Sequence, residues 1–481
     1  MKRTLSVTAI ISIIFFNVSG GPYALEEVLS SGPGLAMLLI LITPIVYSAP
    51  VALVCAELGT ALPLEGGYYA WSKRALGPFG AFCQGWWAWL FTFVDIGIFP
   101  TMFCDYLSYF WPAVGNHGDF WLRKAVMITM IWAFVLLNLR GAKTIGNFAR
   151  IFVIMVLSPF VLMIVAGIYQ GLTQGFSFSP VLPIITPGLT LSAALAAAIP
   201  VILWNYQGWD AISTVAGEMD NPRRDYPRGL GISVILISAM YLVPALIVLM
   251  LVGTTKFPWV TGAWSAAATQ IAGPWLGDFT SAMGMISAVG MYSGLVLVYS
   301  RVPFVMGRDG YLPQALMKRN ARDVPYVSLI VSGIVYTAII LIFKDLEELA
   351  AADVTFYAAM MSLELLSFLV LRYREPNLER PFKVPGGWSV AVVLCTLPCA
   401  CIAAGILYRM KEHDMWEVVV RPLLVMSTGP LLYPLAAAHC RRMKIRNAAA
   451  LGVSGTGITS DIANPLVDAN VLTSPPTAPL E

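Results

Sequence analysis

Charge and histidine are both scarce in this chain: Asp, Glu, Lys and Arg make up 12% of 481 residues, and histidine occurs three times. So little charge excludes a soluble surface of ordinary composition, and a net charge of +3 does not describe a nucleic-acid-binding protein. His117, His413 and His439 lie in loops or at the close of the last apolar segment, so none is available at mid-span as a proton carrier. Cysteine is also sparse, and all seven lie inside or beside apolar segments. Cys395, Cys399 and Cys401 cluster without a histidine, so neither a metal site nor a cofactor is expected. With no cysteine in an exposed external loop, a disulfide-linked partner subunit is not expected either. No nucleophile/base pair converges at one depth, which argues against an enzyme. A cleavage pattern is missing too: the first apolar segment continues past Gly21, so it is read as an uncleaved anchor.

What the chain has in abundance is apolar sequence, 58% of its residues with a mean hydropathy of +0.74, far more than one soluble core can bury. Windows of about 20 apolar residues predict an all-α integral membrane protein with twelve transmembrane helices. The first five fall near Leu5–Leu29, Leu35–Leu58, Phe79–Trp111, Ala125–Leu139 and Phe148–Tyr169, and the next five near Leu191–Gly217, Gly229–Val252, Phe279–Met306, Tyr326–Phe343 and Leu349–Arg372. The last two fall near Trp388–Tyr408 and Trp416–His439. Most of the 30 Lys and Arg gather in alternate loops, for example Lys73, Arg74, Arg140, Arg223, Arg224, Arg308, Lys318, Arg319, Arg372, Arg374, Arg380, Arg441 and Arg442. The other loops hold only Arg123, Lys124, Lys256, Lys344, Arg409, Lys411 and Arg421. This asymmetry predicts both termini in the cytoplasm. Residues 1–446 form the transmembrane domain, and the Gly/Ser/Thr/Pro/Ala-rich stretch 447–481 is expected to be a disordered cytoplasmic tail.

Two spans are interrupted midway, the first at Ser19, Gly20, Gly21 and Pro22 and the sixth at Asn205, Tyr206, Gln207, Gly208, Trp209 and Asp210. In hydrocarbon an unwound backbone costs several kcal/mol per bare N–H or C=O, so such breaks persist where they line a cavity or hold a ligand. Broken helices five spans apart are expected of a secondary transporter with its site near the bilayer midplane. Helices one to five and six to ten read as two halves, matched in hydropathy and breaker position, and the odd number of spans in each makes the second inverted. Pro22 suits the first turn of a half-helix whose positive end binds carboxylates. The freed carbonyls of the second break suit an ammonium group. Asp210 reads either as the N-cap of the next half-helix or as a counter-charge.

Asp95 lies about 16 Å along its helix from Gln84, near mid-span, where a carboxylate must face a cavity or a partner. Glu364 lies about 12 Å from Arg372 in the tenth span. Asp95, Glu364 and Asp210 are therefore candidate proton carriers. Glu57, Glu218 and Arg301 are candidate gate residues on the basic side, and Glu57 is expected to pair with a cation of an inner loop. Trp86, Trp87 and Trp89 read as packing and interface residues.

At these residues the chain resembles the amino acid/polyamine/organocation superfamily, most closely its branch of polyamine uptake transporters. The likeness is carried by Val18-Ser19-Gly20-Gly21-Pro22, Ala56-Glu57-Leu58-Gly59-Thr60, Gly66-Gly67-Tyr68, Leu76-Gly77-Pro78-Phe79, Gln84-Gly85-Trp86-Trp87, Trp204-Asn205 with Trp209-Asp210, Ala216-Gly217-Glu218 and Arg380-Pro381-Phe382-Lys383-Val384-Pro385. The resemblance implies a five-plus-five inverted repeat with broken helices 1 and 6, and uptake driven by a proton gradient. It departs from the branch where Val51 follows Pro50 in place of an acid, at Phe99 in place of a nearby tyrosine, and at the neutral Gln207. Fewer acids weaken the expectation of a di- or tri-cation and strengthen that of an amino acid. The expected function is proton-coupled uptake of polyamines or cationic amino acids, with the small solute, protons and membrane lipid as partners and the plasma membrane as location. The alternatives are a neutral or broad-range amino-acid permease and a non-transporting nutrient sensor.

Overall fold

The computed structural model describes residues 5–115, 118–176, 181–253, 258–322, 324–342 and 346–450. Among them every regular element is a helix, apart from one isolated bridge between Leu5 and Met219. In chain order these are α1 (Val7–Val18), α2 (Glu26–Ser30), α3 (Pro33–Thr43), α4 (Ala49–Ala61), α5 (Tyr68–Leu107), α6 (Phe120–Asn138), α7 (Ala142–Gln174) and α8 (Leu191–Asn205). They continue as α9 (Pro222–Leu251), α10 (Ala263–Ala272), α11 (Pro274–Tyr299), α12 (Arg301–Arg308), α13 (Tyr326–Ile342), α14 (Leu346–Arg374), α15 (Gly387–Glu412) and α16 (Arg421–Ala450). The expected tail begins inside the end of α16, and from 451 onward it lies outside the described residues.

Among the described residues nine helical stretches are long and apolar enough to cross a membrane. Val7–Val18, Leu191–Asn205 and Tyr326–Leu341 are apolar but shorter. Two of those three are the helices that stop at the expected breaks. At 12 residues α1 reaches only about 18 Å, against a hydrocarbon core of about 30 Å. Ile154, Ile235 and Leu431 are each more than 70% exposed, as lipid-facing side chains on a spanning bundle are.

The bundle is built around α5, which packs against α14 and α11, while α1 lies against α7, α9 and α11 and α8 lies against α14 and α15. Small residues set these approaches. A Cβ on Gly290 of α11 would meet the Phe16 ring at 2.5 Å, and one on Gly59 of α4 would meet the Tyr226 ring at the same distance. The third span is longer than expected, because α5 joins two helical stretches across Gly77, whose φ of +76° no other residue adopts readily.

Candidate functional site

The two breaks touch each other. Gly208 sits at φ +94°, and a Cβ there would come within 2.5 Å of the Asn17 carbonyl oxygen at the end of α1. Gly20 and Gly21 take φ of +60° and +96°, with Gly20 against Met291 of α11. After the first break the helix resumes at Glu26, not at Pro22, and Glu26 and Glu27 occupy its first turn. Pro22 lies inside the turn, where its carbonyl accepts from Trp264 Nε1 at 2.7 Å. The half-helix end expected to receive a carboxylate therefore already carries two of the chain's own acids. After the second break Ala211–Glu218 is a 3-10 segment, and Trp209 and Asp210 lie before it. Asp210 makes no side-chain cap on that segment, so the N-cap reading is corrected.

The backbone groups released by unwinding are mostly taken by side chains. Ser287 Oγ donates to the Gly20 carbonyl, Gly21 N–H donates to Ser19 Oγ at 3.0 Å, and Tyr241 O–H donates to the Asn205 carbonyl at 2.9 Å. Trp209 Nε1 donates to the Tyr206 carbonyl at 2.6 Å, and Gly208 N–H donates to the Tyr357 hydroxyl at 3.1 Å. A carbonyl with one donor keeps a second lone pair, so these groups hold their places without being bare.

Acids gather beside this junction. Asp95, 3% exposed, accepts from Tyr299 O–H at 3.0 Å and from Trp204 Nε1 at 3.4 Å, and Phe99 lies against the Trp204 ring with centroids 6.2 Å apart. A second acid comes from α14. Asp353 is fully buried, accepts from the Gln207 amide nitrogen at 2.5 Å, and lies within electrostatic reach of Asp95. The neutral Gln207 is thus backed by an acid from another helix, which corrects the expectation of a cavity poor in charge. Gln207 Oε1, Asp353 Oδ1 and Asn205 Oδ1 are buried acceptors with no donor among the described residues.

Deeper along α14, spacings of four and seven residues put Asp353, Tyr357 and Glu364 on one face. Tyr357 O–H donates to Asp210 Oδ1 at 2.5 Å, Gln84 Nε2 donates to Glu364 Oε1 at 3.1 Å, and the carboxyls of Asp210 and Glu364 are within hydrogen-bonding reach of one another. Asp353 and Tyr357 were not singled out in the sequence. Their signal was available as this helical spacing from Glu364.

At the basic end of the bundle Glu218 and Arg301 form a buried pair at 3.0 Å, 7% and 2% exposed. Glu57 is fully buried and receives Arg372 Nε at 2.9 Å, Arg380 Nε at 3.0 Å and the Val384 N–H at 2.8 Å. Glu65 meets Arg308 at 3.0 Å and Arg319 at 3.3 Å, while Asp309 takes Lys73 at 2.9 Å and Tyr69 O–H at 2.6 Å. Trp86 and Trp87 point away from the junction, their indole nitrogens donating to Thr428 and to the Met426 carbonyl of α16.

Residues 4–427 match the family model described as amino acid permease. Over 439 residues the chain is 31% identical to a probable polyamine transporter of Arabidopsis thaliana, covering 90% of this chain and 84% of the relative. It is 32% identical over 446 residues to the polyamine transporter PUT1 of Oryza sativa subsp. japonica, covering 90% and 78%. It is 26% identical over 453 residues to the branched-chain amino acid permease BcaP of Bacillus subtilis, covering 89% and 90%.

Proposed function

We propose that this chain, which belongs to the amino acid permease family, takes up polyamines or cationic amino acids together with protons by alternating access. As a member of that family it is a multi-pass membrane transporter with a small-molecule substrate, not an enzyme. The finer reading places twelve spans in a five-plus-five inverted repeat, the basic end and both termini in the cytoplasm of the plasma membrane, and the solute at the junction of the breaks. There Ser19, Gly20, Gly21, Pro22, Asn205, Tyr206, Gln207 and Trp209 shape the pocket, and Asp95 and Asp353 supply negative charge beside Phe99. Asp95, Asp210 and Glu364 are the candidate proton carriers, and Glu57, Glu218 and Arg301 hold the inner gate.

One observation carries the choice of a cation. Gln207 Oε1, Asp353 Oδ1 and Asn205 Oδ1 are buried acceptors left without donors, and two carboxyls stand within electrostatic reach of each other beside them. An ammonium group is donor-only, with three N–H bonds to give and no acceptor, so it answers that surplus where a carboxylate would compound it. Names among the relatives point the same way, since two of the three quoted are polyamine transporters.

The test is uptake into proteoliposomes with labelled putrescine, arginine and leucine under an inward proton gradient. Saturable putrescine or arginine uptake that an added protonophore abolishes is the expected result. Saturable leucine uptake that putrescine does not compete with would reject the cationic substrate in favour of a neutral amino acid.

A further inference from the structure

We propose that Asp210 and Glu364 form the proton-binding site, separate from the cargo site at Asp95 and Asp353, and that Tyr357 is the positioning residue that ties the two together. This rests on the reading of a proton-coupled carrier given above.

Three observations lead there. First, a hydrogen bond between two carboxyl groups exists only with a proton held between them, and Asp210 and Glu364 stand within such reach while each is 1% exposed. Second, among the described residues the titratable groups that face the pair are neutral and come from six elements. They are Tyr47 from the turn before α4, Cys55 of α4, Tyr68 of α5, Tyr226 of α9, Tyr299 of α11 and Tyr357 of α14. None of these is a cation, so the second negative charge left by loss of the proton has no counter-ion in that shell. The two carboxylates would then repel across a low-dielectric space. Gln84 donates a side-chain amide N–H to Glu364 Oε1 at 3.1 Å, so Glu364 keeps a neutral donor when the proton leaves.

Third, Tyr357 is bonded on both sides. Its hydroxyl proton goes to Asp210 Oδ1, and the Tyr357 hydroxyl oxygen itself accepts from Gly208 N–H, a backbone group of the unwound stretch that lies against α1. A shift of Asp210 on loss of the proton therefore displaces the acceptor of Gly208 N–H, and the break that shapes the cargo pocket feels it. Asp353, one helical turn away on the same face, bonds Gln207 in that same stretch. Proton and cargo thus act on adjacent residues of one irregular segment through two side chains of one helix, the arrangement that thermodynamic coupling between sites requires.

The experiment compares wild type, Tyr357→Phe and Glu364→Gln in proteoliposomes by two assays with labelled putrescine: counterflow at equal pH on both sides, and accumulation under an inward proton gradient. Tyr357→Phe keeps the ring that packs against Phe91 and loses only the hydroxyl. Expected is counterflow within about threefold of wild type in Tyr357→Phe, accumulation down about tenfold or more in both variants, and a flattened pH profile in Glu364→Gln. Accumulation equal to wild type in either variant would overturn the proposal. Loss of counterflow in Tyr357→Phe, with the protein still eluting as one species, would do so too by placing Tyr357 in the cargo site. Wild type that exchanges putrescine but never accumulates it would instead reject proton coupling itself, a different failure.

Discussion

The side-chain amide of Gln207 donates to Asp353 Oδ2 at 2.5 Å, joining the unwound stretch after α8 to the face of α14. Asp353 Oδ1 and Gln207 Oε1 are left over as acceptors, so the pair presents a negative surface whose shape is fixed by its internal bond. Asp353→Asn keeps the side-chain volume and removes the charge. The loss of one charged partner of a buried ammonium costs about 2 kcal/mol or more, so the KM for putrescine is expected to rise about thirtyfold or more. Initial-rate uptake against putrescine concentration measures it, and an unchanged KM would remove Asp353 from the cargo site.

The glycines of the breaks are not equivalent. A Cβ at Gly208 meets the Asn17 carbonyl oxygen, which belongs to backbone, whereas a Cβ at Gly20 meets the sulfur of Met291, at the flexible part of a side chain. Both positions carry positive φ, which costs an alanine on the order of 1–3 kcal/mol. Gly208→Ala is expected to abolish uptake with no neighbouring side-chain change to restore it. Gly20→Ala combined with Met291→Ala is expected to recover part of the activity that Gly20→Ala alone loses, read as putrescine uptake per unit of membrane-inserted protein.

Arg301 and Glu218 form a pair buried on both sides, so removing one partner strands the other. Arg301→Ala is expected to destabilise the protein by about 3–5 kcal/mol, and the double variant Arg301→Ala/Glu218→Ala by less than that single change. Thermal unfolding of the detergent-solubilised protein reads both. A double-variant loss equal to the sum of the losses in Arg301→Ala and Glu218→Ala would show that the two charges do not interact.

Glu57 gathers Arg372, Arg380 and the Val384 N–H, pinning the segment after α14 to α4. Glu57→Gln leaves two guanidinium groups beside a neutral amide, a loss of about 3–5 kcal/mol by the same reasoning. Hydrogen exchange is expected to quicken at residues 376–386 before it quickens in α5 or α11. Uniform quickening would mean that Glu57 supports the whole bundle and not this segment.

Much of this was legible in the chain. Gly20, Gly21 and Gly208 interrupt apolar runs that would otherwise be continuous, and Asp95 and Glu364 stand out because a charge in hydrocarbon needs a reason. Asp353 was harder to see, because it follows the acidic stretch Asp345, Glu347 and Glu348 and so reads as the polar mouth of a span. Its register with Tyr357 and Glu364 is what turns it inward. The restart of the first helix was also hidden. Proline fits a first helical turn locally, yet Gly21 and the bond from Trp264 hold Pro22 in the turn, and that bond joins residues 242 positions apart. Asp210 matched the rule for helix starts, but Tyr357 and Glu364 compete for its carboxylate from a helix nearly 150 residues away.

Each break is clasped by oxygen atoms at the tips of side chains rooted in other helices: Ser287 of α11, Tyr241 of α9 and Tyr357 of α14. A hydroxyl swivels about one bond and can turn to a new mate within its own small circle. If neighbouring rods slide past the kinks in the transport cycle proposed above, such clasps would replace each lost bond nearby, and the kinks would serve as bearings rather than as weak points.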